Sequence, residues 1–238
     1  MNRLTDRLQL LADQIENGET MADIGTDHGF LPLYLWQQGI SPAVIMCDIS
    51  EPSLAKAKAA AGALQFGREL DFRAGDGLNV LAPGEVDVIV IAGMGGLLIR
   101  DILSDDLEKT RSFSKFILQP RNNSGQLRYW LAANGFEIRS NHLVREGKFI
   151  CEVIIALTPK SHENGNESPE EAYPDQKDPY WEFPPDMALT NPELASEFAL
   201  TKIEIEEKIK AGIMRSCNIN NLDIHAVDRR IEYFGRFI

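Results

Sequence analysis

The stretch ADIGTDHG at residues 22–29 gathers two carboxylates, an imidazole and two glycines into eight positions. Asp23, Gly25 and Gly29 give the spacing D-x-G-x-x-x-G, set between an apolar run and an apolar-periodic one. That context reads as strand, loop and helix, a geometry whose helix N-terminus offers free backbone N–H groups to a polar or anionic ligand. Asp27 stands where the dinucleotide-binding pattern G-x-G-x-x-G has its middle glycine. A carboxylate there repels a diphosphate and suits a ligand with a positive group, such as the amino and sulfonium centres of S-adenosylmethionine. Gly25 and Gly29 also fit an ordinary turn, so the motif gains weight only from acids spaced further along the chain.

Asp48 closes a second apolar run, where a carboxylate can accept both hydroxyls of a ribose as charge-assisted hydrogen bonds. Asp76, in AGDGL after a third such run, is placed to accept from an adenine amino group. Each of these aspartates, taken singly, fits a turn or a helix cap equally well. AGMGG at 92–96 ends a fourth run, and Gly93, Gly95 and Gly96 let backbone approach a flat base closely. They also fit a tight strand-to-helix turn. His28 either contacts the ligand or caps the following helix. His142, His162 and His225 have no metal-ligand spacing with one another, and no metal site is expected.

Positioning these groups on one rim requires alternating strands and helices. Apolar runs predict strands over 20–24, 43–48, 70–74, 86–92 and 115–119, with helices over 29–38, 52–66 and 95–104 and another closed by Gly135. VDVIVIAG is apolar nearly throughout, as in a central parallel strand covered on both faces. FEIRSNHLV and FICEVIIALT, joined by REGK, read as an antiparallel hairpin at the sheet edge. The fold expected is α/β: a doubly wound, Rossmann-like sheet of seven strands with the last antiparallel. Ligands of such sheets sit beyond the carboxyl ends of the strands, at the point where strand order reverses. A helix over 2–16, with Leu4, Leu8, Leu11 and Ile15 on one face, precedes the first strand as a cover.

Residues 158–190 are rich in Glu, Asn, Ser and Asp, carry prolines at 159, 169, 174, 179, 184 and 185, and read as an acidic linker, flexible at least to Asp178. Asn191 and Pro192 then open a helix to about Met214, and a second follows with Ile224, Val227, Ile231, Phe234 and Ile238 on one seam. The chain thus divides into 1–157, a linker over 158–190 and a coiled-coil-like helical hairpin over 191–238.

Length and composition bound the rest. With 238 residues, 44% of them hydrophobic, the chain can bury one sizeable core. Three cysteines, Cys47, Cys151 and Cys217, without a C-x-x-C pair exclude a disulfide framework and a cysteine-rich zinc site. No stretch approaches the roughly 20 apolar residues of a membrane span, and the N-terminus lacks a cleavable signal, so a soluble cytoplasmic protein is expected. The net charge of −12 argues against nucleic acid, yet residues 109–148 hold eight bases against two acids. Those bases are Lys109, Arg111, Lys115, Arg121, Arg128, Arg139, Arg145 and Lys148. They form either a phosphate-binding patch or a solvated run split over two faces.

ADIGTDHGFLPLYL, AGDGL, IAGMGG and ILQPRNNSGQLRYWLAANGF, followed by REGKFICEVI, together resemble the bacterial tRNA (adenine-22-N1)-methyltransferases, class I enzymes that use S-adenosylmethionine. The resemblance covers residues 3–157 and extends more loosely to 192–238, while the stretch 158–190 is longer and more acidic than that family leads one to expect. It implies that Gly25, Thr26, Asp27, His28 and Gly29 wall the methionine part of the cofactor. Asp48 with Ile49 would then hold the ribose, and Asp76 with Gly77 the adenine. Gly93, Met94 and Gly95 would line the meeting point of methyl group and base, opposite a lip of Gln119, Pro120 and Asn122, with Asp27 orienting the cofactor or the target amino group. Tested against it stand a methyltransferase acting on a small molecule or protein, and a non-catalytic nucleotide-binding module that docks a partner through the hairpin. A nicotinamide-dependent dehydrogenase is disfavoured by Asp27.

Overall fold

The structure is a computed structural model that describes residues 3–63, 70–159, 174–215 and 221–238. Thr5 opens helix α1 (Asp6–Asp13) by accepting the backbone N–H of Leu8 on its side chain, and α1 buries Leu11 and Ala12 against the sheet. Strand β1 (Met21–Ile24) is buried throughout and leads through the motif loop into α2 (Phe30–Gln37). Next come β2 (Val44–Asp48), α3 (Glu51–Gly62), β3 (Asp71–Ala74) and a short 3-10 turn at Gly77–Val80. The chain continues through β4 (Val88–Met94), α4 (Gly96–Ser104), the single turn α5 (Leu107–Thr110), β5 (Lys115–Pro120) and α6 (Ser124–Ala133). Strands β6 (Glu137–Glu146) and β7 (Phe149–Leu157) form the hairpin.

These strands make one sheet in the order β3-β2-β1-β4-β5-β7-β6. The first five are mutually parallel, and β7 runs antiparallel between β5 and β6. Strand order reverses between β1 and β4, which opens a crevice beyond their carboxyl ends. The alternation of VIVI in β4 explains its all-apolar sequence. Ile89 and Ile91 pack with Ile99 and Leu103 of α4 and Leu127 and Leu131 of α6, whereas Val88 and Val90 pack with Leu11 of α1 and Leu31 and Leu33 of α2. Both faces of the sheet are therefore dry, as parallel strands require.

A third apolar cluster corrects the expected linker. Residues 160–173 of it lie outside the described residues, as do Cys217 and His162, and residues 174–177 are exposed, but from Trp181 onward the chain is packed. A 3-10 turn at Pro179–Trp181 and the short helix α7 (Asp186–Thr190) bury Trp181, Phe183 and Met187. Phe183 and Met187 meet Leu143 of β6, then Leu194 and Phe198 of α8 (Pro192–Arg215) and Phe234 of α9 (Asn221–Gly235). Pro179 and Pro185 stand at the start of helical turns, where a missing N–H carries no penalty. On α9 the expected seam holds at Val227 and Phe234, which are buried, while Ile238 is 62% exposed and Tyr233 and Phe237 pack instead.

Arg128 ties this third layer to the sheet. It is fully buried, and its guanidinium donates to Asn141 Oδ1 at 2.7 Å, Glu152 Oε2 at 2.7 Å and the carbonyl of Trp181 at 2.9 Å. Ser124 donates to the other oxygen of Glu152, and Asn141 donates to Asp186 at the start of α7. Burial opposes the charge on Glu152, yet Arg128, Lys202 and the Ser124 hydroxyl together hold its carboxyl below the usual range. Arg128 is thus removed from the expected phosphate-binding patch, because its charge is consumed inside the protein. Lys115 is removed too: its ammonium group donates to Glu19 at 2.6 Å and to the carbonyl of Gln14 at 2.9 Å.

Truncating Arg128 leaves Glu152 charged and unpaired in the interior, a change that typically costs about 3–5 kcal/mol. Denaturant unfolding of Arg128→Met should show a loss of that order, and adding Glu152→Gln should return part of it. A loss below about 1 kcal/mol in the single variant would contradict the tie.

Candidate active site

The loop after β1 is shaped by three residues with positive φ: Gly25 at 80°, Asp27 at 46° and Gly29 at 67°. The N–H groups of Gly25 and Thr26 both donate to the carbonyl of Cys47, at 2.8 and 3.0 Å, which sews the loop to the end of β2. Asp27 is a non-glycine residue in the left-handed region, where aspartate is among the few side chains tolerated. Its N–H donates to Asp48 Oδ2 at 3.3 Å, and its own carboxylate takes a 2.8 Å hydrogen bond from Lys56 of α3. The Lys56 ammonium holds the Asp27 carboxyl below its ordinary range. Asp48 in turn accepts from the Ser50 N–H at 2.8 Å, next to the cap of α3.

The acid that faces the crevice from inside the protein is Asp23. It is buried, and the Thr26 hydroxyl donates to its Oδ2 at 2.8 Å. Burial pushes its pKa up to about 6, the neighbouring Asp48 charge adds to the rise, and the Thr26 hydrogen bond and Arg7 oppose it. A buried carboxyl poised near neutrality is a receptor for a cation, which would restore its charge.

Opposite this wall stands the end of β4. A Cβ placed on Gly25 would lie 2.2 Å from the terminal methyl of Met94, a flexible side-chain end, while the φ of 80° is the firmer demand for glycine at this position. The N–H of Gly93 donates to Gln119 Oε1 at 3.1 Å, and Arg7 of α1 donates to the same oxygen at 3.3 Å. Arg7 also binds Glu146 of β6 at 2.6 Å. The Arg121 N–H donates to the carbonyl of Met94 at 2.7 Å, and its exposed guanidinium lies over Gly93. Gly96 starts α4 with its Cβ direction closed by the carbonyls of Asn122 and Asn123, each 2.6 Å away, which pins the two loops together.

These elements enclose a cavity of about 470 Å³, lined by α1, the motif loop, Asp48, Ala92 to Met94, Arg121 and Glu146. The structure thus brings Gly25, Thr26, Asp27, His28, Asp48, Gly93 and Met94 to one cavity. Gly29 lies behind it as the cap of α2, packed on Met46 and Ala57. Asp76 and Gly77 open into a separate hollow of about 220 Å³ against Leu98, Asp101 and Ile102 of α4. The two meet at the backbone, where the Gly75 N–H donates to the Asp48 carbonyl. Ile49 projects beyond Asp48, 72% exposed.

Sequence reasoning emphasised Asp27 and passed over Asp23, although the D-x-G spacing already contained it. Arg7, Lys56, Phe30 and Glu146 carried no local signal. The basic run does not form one surface: Lys115 enters β5 and Arg121 follows its exit, at opposite ends of the strand. Arg145 pairs with Glu197, Arg139 with Glu137, and Arg111 donates to the carbonyl of Asn134. Among the described residues no group of three or more His, Cys, Asp or Glu side chains is arranged to hold a metal ion.

A parallel sheet with a carboxylate-lined cavity at its switch point defines a Rossmann-like protein that takes a nucleoside-type ligand. The chain belongs to the methyltransferase-domain family, whose sequence model matches residues 4–154. It is 35% identical over 154 residues to the tRNA (adenine(22)-N(1))-methyltransferase of Bacillus subtilis, an alignment spanning 65% of each chain, just under two thirds of that relative's length. The crystal structure of the Bacillus subtilis m1A22 tRNA methyltransferase superposes with a TM-score of 0.82 at 27% identity, over 99% of both chains. A Mycoplasma capricolum protein solved in complex with S-adenosylhomocysteine superposes with a TM-score of 0.77 over 99% of this chain and 98% of that one; at 23% identity this likeness shows the fold.

Carboxyl-carbon NMR of the free protein should give Asp23 a titration midpoint near 6. Thr26→Val should raise it further, because the lost hydroxyl favours the ionised form. A midpoint near the ordinary value of about 4 in both proteins would contradict the buried site.

Proposed function

We propose that this methyltransferase uses S-adenosylmethionine to methylate N1 of an adenine in tRNA, at position 22. The observation that carries the cofactor reading is the buried Asp23 carboxyl facing a cavity whose opposite wall is Ala92 to Met94 at the end of β4. The residues fit the group: Asp23 with Thr26 suits its amino centre, Asp48 its ribose hydroxyls, and the glycine backbone at Gly93 with the flexible Met94 side chain its extended thioether chain. Asp76, Gly77 and Ile49 flank the direction in which its adenine would continue. When bound, S-adenosylmethionine supplies a methyl group activated by the positive sulfur.

The lone pair on adenine N1 is available without prior deprotonation, so the protein's task is placement. Aligning two reactants can supply about 7–11 kcal/mol of a barrier. Gly93 is the natural contact point for the base, and its backbone is fixed from behind by Gln119, itself oriented by Arg7. Lys56 neutralises Asp27 and holds the loop in its left-handed turn, which keeps Asp27 a positioning residue. No side chain here needs to act as general base.

The relatives' names support the acceptor. A target adenine must leave its stack before it can reach the cavity, a cost of a few kcal/mol that phosphate contacts offset. Arg121 is the base of the expected run that lies on the cavity; Lys148 is exposed, Arg139 and Arg145 are exposed but paired with Glu137 and Glu197, and Lys109 is half-buried. In the same proposal, residues 1–157 form the catalytic unit and the hairpin of 191–238 extends the RNA-binding surface, held to it by the packed stretch from Trp181. No helix among the described residues is long and apolar enough to cross a membrane, and we place the protein in the cytoplasm with its tRNA substrates.

Incubation with unmodified tRNA and S-adenosylmethionine, followed by mapping of the modified nucleotide, should yield N1-methyladenosine at position 22. Methylation confined to small molecules or protein would contradict the assignment. Calorimetry should show Asp23→Asn weakening S-adenosylmethionine binding by at least about tenfold, the scale of one lost charge-assisted hydrogen bond. Wild-type affinity should rise as pH increases through about 6 and the variant's should not, because only ionised Asp23 attracts the amino centre.

A further inference from the structure

Phe30 is the first residue of α2, and it is 49% exposed while Leu31, Leu33 and Leu35 of the same helix are buried. Its ring lies parallel to that of His28, with centroids 5.1 Å apart and an angle of 3° between the planes. Both rings line the 470 Å³ cavity. The left-handed residues on either side of His28 turn the two side chains to one side of the loop, so that they present neighbouring flat surfaces. Nothing in the fold requires this arrangement, since a half-exposed phenyl leaves apolar surface in water that burial would remove.

Three further observations narrow what covers these rings. The cofactor-facing groups, Asp23, Asp48 and Gly25, are polar or bare, and the two rings are the aromatic part of the same lining. The His28 imidazole is 3.7 Å from the Asp27 carboxylate, beyond hydrogen-bond distance, so that carboxylate's short contact belongs to Lys56. Across the cavity, Arg121 forms no ion pair among the described residues and is exposed. A flat apolar surface facing a free guanidinium suits a nucleotide taken out of its stack, with its base on the rings and its phosphate toward the arginine.

We propose that His28 and Phe30 form a stacking platform that receives the target adenine, with Arg121 holding an adjacent phosphate. This rests on the tRNA methyltransferase reading. Both aromatic residues are binding residues for the acceptor, and neither belongs to the cofactor site.

The test compares wild type, Phe30→Ala, Phe30→Tyr and His28→Ala in steady-state methylation of tRNA, with S-adenosylmethionine affinity measured separately by calorimetry. Phe30→Ala should lower kcat/KM for tRNA by at least about tenfold, the scale of one lost base–aromatic stack. Its cofactor affinity and melting temperature should stay at wild-type values. Phe30→Tyr, which keeps the ring, should restore most of the loss, and His28→Ala should fall between. Unchanged kcat/KM in Phe30→Ala, an equal defect in Phe30→Tyr, or a loss that follows cofactor affinity would overturn the platform while leaving the methyltransferase reading intact. Failure of the wild-type protein to methylate tRNA would remove the reading itself, and the platform with it.

Discussion

The left-handed turn at Gly25, which carries the chain from the end of β1 across to β2, is the constraint on which the site depends. At a φ of 80° the position favours glycine, and the terminal methyl of Met94 from β4 fills the space a side chain would take. The paired hydrogen bonds from Gly25 and Thr26 to Cys47 then draw in β2. Three strand ends consequently share one wall. Carboxylates that are far apart in sequence, Asp23 and Asp48, come close enough for each to feel the other's charge.

That proximity has an electrostatic consequence. The Asp23 carboxyl binds its proton more tightly in the folded protein, near pH 6, than in the unfolded chain, near 3.8. Its contribution to stability is therefore full below about pH 4 and is lost as pH rises through about 6. Near neutrality the free protein keeps an ionised carboxylate in a buried place. A cationic ligand offsets this strain, so binding and stability are linked at one residue. Asp27 behaves oppositely: Lys56 lowers its pKa, which makes it part of the loop's framework.

The sheet was legible in the sequence because its signals are local. VDVIVIAG reports a strand covered on both faces, and the glycine-bearing turns mark where strands end. The polar hub was not legible. Arg128 looks like any basic residue on an amphipathic helix, and its partners Asn141, Glu152 and Trp181 come from other elements. The packed stretch from Trp181 was hidden for a similar reason: its prolines and acids suggest solvent, and Trp181, Phe183 and Met187 are too few to show a period. At the site, residue type favoured Asp27, whereas three-dimensional burial favours Asp23. Arg7, from a helix that the motif does not include, reaches Gln119 through tertiary packing alone.

A crystal soaked with S-adenosylhomocysteine would test the central claim most directly. The account predicts its amino group at Asp23 and Thr26, its ribose at Asp48, and its sulfur between Gly25 and Gly93, facing the cavity below α1. Density for the ligand's amino acid portion in the hollow between Asp76 and α4, with the cavity at Gly25 left to solvent, would contradict it.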